Sequence, residues 1–185
     1  MAHMICPPWI GYLLLNPLRK LWQDPHAILA PLVADGMTVL EPGPGMGFFT
    51  LELARLVGPA GRVVAVDLQP RMLATLRRRA ARRGLQDRIE TRVPAADGMG
   101  IGDLAGRVDF ALLVAMVHEV KDRARFFAEV SAALKPGGRV LLAEPRGHVG
   151  DALFAKFLEL AAANRLSVAG RPVVATSRTA LLVRS

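Results

Sequence analysis

Residues 37–67 constrain the chain more than any other stretch. They open Met37-Thr38-Val39-Leu40-Glu41-Pro42-Gly43-Pro44-Gly45-Met46-Gly47 and close on Arg62-Val63-Val64-Ala65-Val66-Asp67. Val39 and Leu40 end a short buried strand, and the Gly-rich stretch after them turns. Phe48 to Val57 carries apolar residues at helical spacing (Phe48, Leu51, Leu53, Ala54, Leu56, Val57). Arg62 to Val66 is a second strand, with Asp67 at its tip. The sum is a strand–turn–helix–strand unit with an acidic residue at each strand end. Ligands of such units sit in the crevice beyond the carboxyl ends of the strands.

The glycines permit a sharp turn and a close approach of backbone to ligand, which a Cβ would obstruct. The first N–H groups of the following helix face the same crevice. Asp67 is placed to accept hydrogen bonds from a ribose diol. The spacing is Glu41-x-Gly43-x-Gly45-x-Gly47, not G-x-G-x-x-G, and Phe48 stands where a dinucleotide site needs its third glycine. That argues against a nicotinamide-linked oxidoreductase. The plain alternative is a tight turn without a ligand.

The Glu-x-Gly-x-Gly-x-Gly form resembles motif I of the class I S-adenosylmethionine (SAM) dependent methyltransferases. Three further segments resemble the same family in the same order. Val66-Asp67-Leu68-Gln69-Pro70-Arg71-Met72-Leu73 is similar to its segment after strand 2, where the acidic residue holds the ribose. Ala96-Asp97 is similar to the position after strand 3, where an Asp meets the adenine amino group. Leu134-Lys135-Pro136-Gly137-Gly138 is similar to its turn before strand 5, and is nearest to the branch with the quinone-biosynthesis C-methyltransferases. The resemblance covers residues 37–185. It implies a SAM site built from Glu41, Pro42, Gly43, Gly45, Gly47, Asp67, Leu68, Met72, Ala96, Asp97 and Val114, with S-adenosylhomocysteine as product. It does not name the methyl acceptor.

The rest of the chain reads as one domain of alternating strands and helices. Asp24-Pro25 starts a helix over 26–34, with Pro31 a point of kink or break, and Asp35-Gly36 stops it. After Leu68 to Leu73 a helix runs to about Arg83 and ends at Gly84, and Ile89 to Val93 is a third strand. Gly98 to Gly106 is a loop, and Val108 to Val114 is a fourth strand, apolar except for Asp109. A helix from Asp122 to Leu134 ends at Lys135-Pro136-Gly137-Gly138. Arg139 to Ala143 is a fifth strand, and Asp151 to Asn164 a further helix. Two β-rich pieces, Val168 to Ala175 and Thr179 to Val183, form a hairpin about Ser177-Arg178. The expected fold is α/β, a Rossmann-like doubly wound, mostly parallel sheet with one antiparallel strand from the C-terminal hairpin. Residues 1–36 precede the first sheet strand and are expected to be a helical cover, or plain core packing of their Trp and Leu residues.

Methyl transfer from a sulfonium mainly requires that donor and acceptor be held in line, and a base only where the acceptor must lose a proton. His118 and Glu119, beyond strand 4, are the candidate catalytic residues, the imidazole because it titrates near neutrality. The alternative for His118 is a locally bonded helix-start residue, and for Glu119 a pocket-wall carboxylate. Arg146 and His148, beyond strand 5, are candidates for an anionic acceptor, or an exposed loop. Trp9 and Tyr12 are candidates to touch donor or acceptor from the cover.

The expected partner is a small-molecule methyl acceptor. The alternatives are RNA methylation on a basic surface and a non-catalytic SAM-binding protein. The net charge of +8 permits nucleic acid, but the densest run (Arg77, Arg78, Arg79, Arg82, Arg83) falls on one helix and lacks interleaved aromatics. No Asn/Asp-Pro-Pro-Tyr/Phe follows strand 4, where the chain reads Val114-Ala115-Met116-Val117, so resemblance to the exocyclic-amino methyltransferases fails. One cysteine, Cys6, leaves no internal disulfide or multi-cysteine metal site and suits the cytoplasm. No His/Asp/Glu cluster has metal-ligand spacing, and no apolar run is long enough to span a bilayer. Oligomeric state is not readable.

Overall fold

A computed structural model describes residues 23–94 and 98–185. The chain forms two compact units, residues 1–94 and 95–185. Trp9, Tyr12, Ala96, Asp97 and most of the expected N-terminal cover lie outside the described residues.

In the first unit, α1 (Pro25–Leu29) starts where Asp24 caps it, its carboxylate accepting from His26 N–H at 2.9 Å, with Pro25 in the first turn. The sequence predicted a helix to residue 34. It ends at Leu29 and passes into a turn, because Pro31 has no N–H to continue the ladder. Three strands follow: β1 (Thr38–Pro42), β2 (Arg62–Val66) and β3 (Ile89–Arg92). β1 and β2 run parallel in register from Thr38 opposite Arg62 to Pro42 opposite Val66, and β2 pairs parallel with β3. Val39, Leu40, Val63, Val64 and Ala65 are fully buried, as strands covered on both faces require.

Helix α2 spans Thr50–Leu56, not 48–57 as the apolar spacing suggested. The turn consumes two more residues than expected, since the left-handed glycines carry the chain round until Phe49. Helix α3 (Pro70–Ala81) buries Met72, Leu73, Leu76 and Ala80. Leu73, Leu76 and Ala80 pack with Leu51 and Ala65, locking both helices onto β2.

In the second unit, β4 (Val108–Val114) runs parallel to β5 (Leu134–Pro145). The helix between them, α4, spans Arg123–Ala133, with Asp122 as cap accepting from Arg125 N–H at 3.0 Å. β5 starts earlier than the expected Arg139, because Leu134 is already extended and faces Val108. The register then slips, and Phe110 faces Arg139, so Lys135–Gly138 is bypassed by the ladder. Helix α5 (Asp151–Ala163) buries Phe154 and Phe157.

β6 (Leu166–Gly170) and β7 (Ser177–Arg184) make the antiparallel hairpin, with β7 antiparallel to β5. Its turn is residues 171–176, not Ser177-Arg178. Pro172 cannot donate to a ladder, Thr176 takes φ 64°, and Ser177 already pairs with Pro145.

The turn after β1 is sterically specified. A Cβ on Gly47, at φ +83°, would lie 2.3 Å from Leu76 Cδ1, and Leu76 is fully buried. Gly84, at φ +65°, has nothing within 4 Å of the same point. Gly84→Ala is expected to cost about 1 kcal/mol, the left-handed backbone penalty alone. Gly47→Ala is expected to cost roughly 2–4 kcal/mol, because overpacking adds to it. Urea melts of the two variants measure the difference.

Candidate functional site

The Gly-rich turn is tied to the end of β2 at two points. Gly43 N–H donates to Val66 O at 2.8 Å, and Gly45 N–H donates to Asp67 Oδ2 at 3.1 Å. Gly43, Gly45 and Gly47 all have positive φ (71°, 54° and 83°), a backbone path that side chains with a Cβ resist. Asp67 Oδ1 accepts from Gln69 N–H at 2.8 Å. The carboxylate thus bridges the two turns at the carboxyl ends of β1 and β2. Burial lifts the Asp67 carboxyl above its ordinary range, and the two backbone N–H groups pull it partly back. Arg79 of α3 donates to Met46 O, closing the turn from the helix side.

Glu41 stands beside this bridge in the last residues of β1. It is almost fully buried, and its carboxyl is pushed up to about 7. Burial is the main cause, the Thr50 hydroxyl opposes it, and the Asp67 charge adds to it. Among the described residues none donates a hydrogen bond of regular geometry to Glu41 Oε2. Pro42 lies next to it at the strand end, opposite Val66. Leu68 is 64% exposed immediately after Asp67, an apolar surface left at the strand end. Met72 is 3% exposed and serves the core beneath the turn, with little surface for a ligand.

The other sequence-predicted residues lie in the second unit. Val114 ends β4, and Ala115, in the left-handed region at φ 54°, still donates to Ala143 O at 2.8 Å. The short 3-10 turn Val117–Glu119 then presents His118. His118 Nδ1 lies 2.5 Å from Glu144 Oε2, and Glu144 is completely buried near the end of β5. The other Glu144 oxygen accepts from Met116 N–H (3.2 Å) and Val117 N–H (2.8 Å). Arg123 holds the same turn from the opposite side, donating to Val117 O (3.1 Å) and His118 O (2.8 Å). The Arg123 guanidinium sits over the Phe157 ring at 5.3 Å.

Glu119 Oε1 is 3.9 Å from His118 Nε2. The exposed His148 ring meets the His118 ring edge-on at 5.4 Å. Arg146 is exposed too, and its Nε donates to Ser177 O at 3.3 Å. The structure therefore brings His118, Glu119 and His148 together, with Arg146 nearby in sequence but turned to the hairpin. The hydrogen bond to Glu144 raises the His118 imidazole above its usual range. Burial and Arg123 oppose the rise, and the Glu144 and Glu119 charges reinforce it. Of the Arg run on α3, Arg77 donates to Thr91 Oγ1 at 3.0 Å and Arg79 to Met46 O, so part of it serves the fold.

Sequence reasoning assigned no role to Glu144 or Arg123. The signal for Glu144 was present: Glu-Pro ends β5 as Glu41-Pro42 ends β1. Arg123 carried no such mark, since its role depends on carbonyls aimed at it by the turn.

The Glu41 carboxyl has a measurable signature. Its folded-state value is raised from 4.5 to about 7, so between these values the folded chain keeps a proton that the unfolded chain has lost. Its contribution to stability therefore falls as pH rises through that window. Glu41→Gln removes the titration. The variant is expected to gain up to about 3 kcal/mol relative to wild type at pH 8 and to show no such gain at pH 4. Denaturant melts at the two pH values check this.

A methyltransferase-domain family model matches residues 39–138, more than half of the chain. An arsenite methyltransferase of Halobacterium salinarum is 31% identical over 121 residues, 65% of this chain and 30% of that protein. A ubiquinone/menaquinone biosynthesis C-methyltransferase of Hahella chejuensis is 32% identical over 127 residues, 69% of this chain and 50% of that protein. The chain thus spans half or less of the length of these relatives. A SAM-dependent methyltransferase from Aquifex aeolicus has a crystal structure that superposes with a TM-score of 0.83. It covers 97% of this chain and 98% of its own, at 22% identity. That likeness shows the Rossmann-like, mostly parallel α/β fold expected from the sequence, with its antiparallel C-terminal strand. By its motifs, its matched residues and its fold, the chain belongs to the methyltransferase-domain family of class I SAM-dependent methyltransferases.

Proposed function

We propose that the chain binds SAM at the Gly43–Gly47 turn and transfers its methyl group to a small organic acceptor, leaving S-adenosylhomocysteine. The observation that carries this reading is the Asp67 carboxylate, fixed at the β2 end by Gly45 N–H and Gln69 N–H. So held, it has lone pairs left over for a ribose diol. The chemistry of the neighbouring residues fits the same ligand. Glu41 has a buried oxygen without a donor, which suits the ammonium of the donor's methionine part. Leu68 offers an apolar face for the adenine. Bound SAM supplies a methyl group already activated on a sulfonium, so the protein's main task is alignment. In this reading His118 takes a proton from the acceptor, with Glu119 and His148 beside its ring, while Arg146 serves the hairpin.

The names of the relatives support a small acceptor and differ on its nature. A chain so poor in cysteine suits the reducing cytoplasm. Among the described residues no helix is long and apolar enough to cross a membrane.

Isothermal titration with SAM and with S-adenosylhomocysteine tests the donor site. Wild type is expected to bind both in the micromolar range, on the order of −8 kcal/mol. Asp67→Ala is expected to bind at least about tenfold more weakly, having lost a charge-assisted pair of hydrogen bonds. No heat of binding with wild type contradicts the proposed donor site.

A further inference from the structure

We propose that Glu144 is a positioning residue that fixes the His118 imidazole with its proton on Nδ1. The lone pair of Nε2 is then the base for an acceptor that gives up a proton, a phenol, enol or other hydroxyl compound. The inference rests on the methyl-transfer reading above and names its acceptor class.

The tautomer follows from the donors around one carboxylate. Glu144 is fully buried, and its Oε1 is taken by two backbone N–H groups, those of Met116 and Val117. Its Oε2 faces His118 Nδ1 at 2.5 Å. A carboxylate only accepts, so the nitrogen facing it is the one that carries hydrogen. In the neutral ring Nε2 then has the free lone pair. The backbone of the same turn is clamped by Arg123 at Val117 O and His118 O, so the ring has little freedom to swing away.

The location suits catalysis. Glu144 lies near the carboxyl end of β5, and His118 just past that of β4, and these strands are parallel neighbours. Ligands of such sheets bind beyond those ends. The charged and titratable groups around the ring are Glu144 from β5, Glu119 from its own turn, Arg123 from α4 and His148 from the segment before α5. The two carboxylates favour a strong base, consistent with the raised value of the imidazole.

The step balances. The acceptor O–H gives its proton to His118 Nε2, and its oxygen forms a bond to the methyl carbon as the methyl–sulfur bond breaks. The electron pair of that bond stays on sulfur, so the positive charge passes from sulfonium to imidazolium, which later releases its proton to solvent.

Glu144→Gln tests the assignment. With Oε1 held by two N–H donors, the Gln oxygen must occupy that place and the amide NH2 must face His118. The amide then donates to Nδ1, and the imidazole proton is forced onto Nε2. Nitrogen-15 NMR of histidine-labelled protein at pH 9 reads the tautomer without any substrate. The expected result is Nδ1–H in wild type and Nε2–H in Glu144→Gln. Wild type with Nε2–H, or a tautomer unchanged by the substitution, overturns the proposal.

Activity is read in parallel as S-adenosylhomocysteine formed from SAM with catechol, hydroquinone and 4-nitrophenol as probes. Wild type is expected to turn over at least one. Glu144→Gln and His118→Asn are each expected to lower kcat about a hundredfold, with the KM for SAM within about twofold of wild type. The double variant is expected to be no slower than either, since the two act as a unit. If S-adenosylhomocysteine binds but wild type turns over no probe, the acceptor class is wrong. If the single variants keep full kcat, the base role is wrong. If S-adenosylhomocysteine does not bind wild type, the failure lies in the donor reading, and the NMR result still decides the tautomer. His118→Asn keeps the kinetic test usable should Glu144→Gln fold poorly.

Discussion

The hydrogen bond from Gly45 N–H to Asp67 Oδ2 joins the two features that the donor site needs, a glycine turn and an acidic strand end. It forms only because three glycines take left-handed conformations in succession and bring the backbone back over the end of β2. The turn in turn rests on Leu76, whose side chain fills the space a Cβ on Gly47 would claim. Core packing, backbone conformation and the position of the Asp67 carboxylate are thus one constraint.

Two glutamates near strand ends show how environment divides roles among like residues. Both are buried, and both precede a proline. Glu144 is matched by two backbone N–H groups and an imidazole, so its burial is compensated within the protein. Glu41 keeps an oxygen without a donor and holds its proton up to about neutral pH. A satisfied carboxylate orients its neighbours. An unsatisfied one is costly in the free protein and becomes favourable when a cation arrives. Stability given up at Glu41 is, in this account, recovered as affinity for the donor.

Much of this was legible in the sequence. The glycine spacing, the acidic tip at Asp67 and the alternation of strands and helices are local patterns, and they place the fold directly and the proposed donor site by resemblance. The boundaries that shifted did so for nonlocal or steric reasons. Pro31 stopped α1 early, the glycine turn delayed α2, and pairing with Val108 drew Leu134 into β5 before Arg139. The hairpin turn moved because Ser177 is committed to Pro145 by a partner distant in sequence. Glu144 and Arg123 were missed because their roles arise from residues 26 positions away and from carbonyl directions, respectively.

The measurement that bears most directly on the account is proton release on S-adenosylhomocysteine binding, by calorimetry at pH 7 in buffers of different ionisation enthalpy. With a Glu41 value of about 7, the free protein is about half protonated there, and the ligand's ammonium should expel that fraction. The account predicts release of about half a proton per ligand in wild type and none in Glu41→Gln. Binding of the ligand with no proton release, or release that persists in Glu41→Gln, would contradict it.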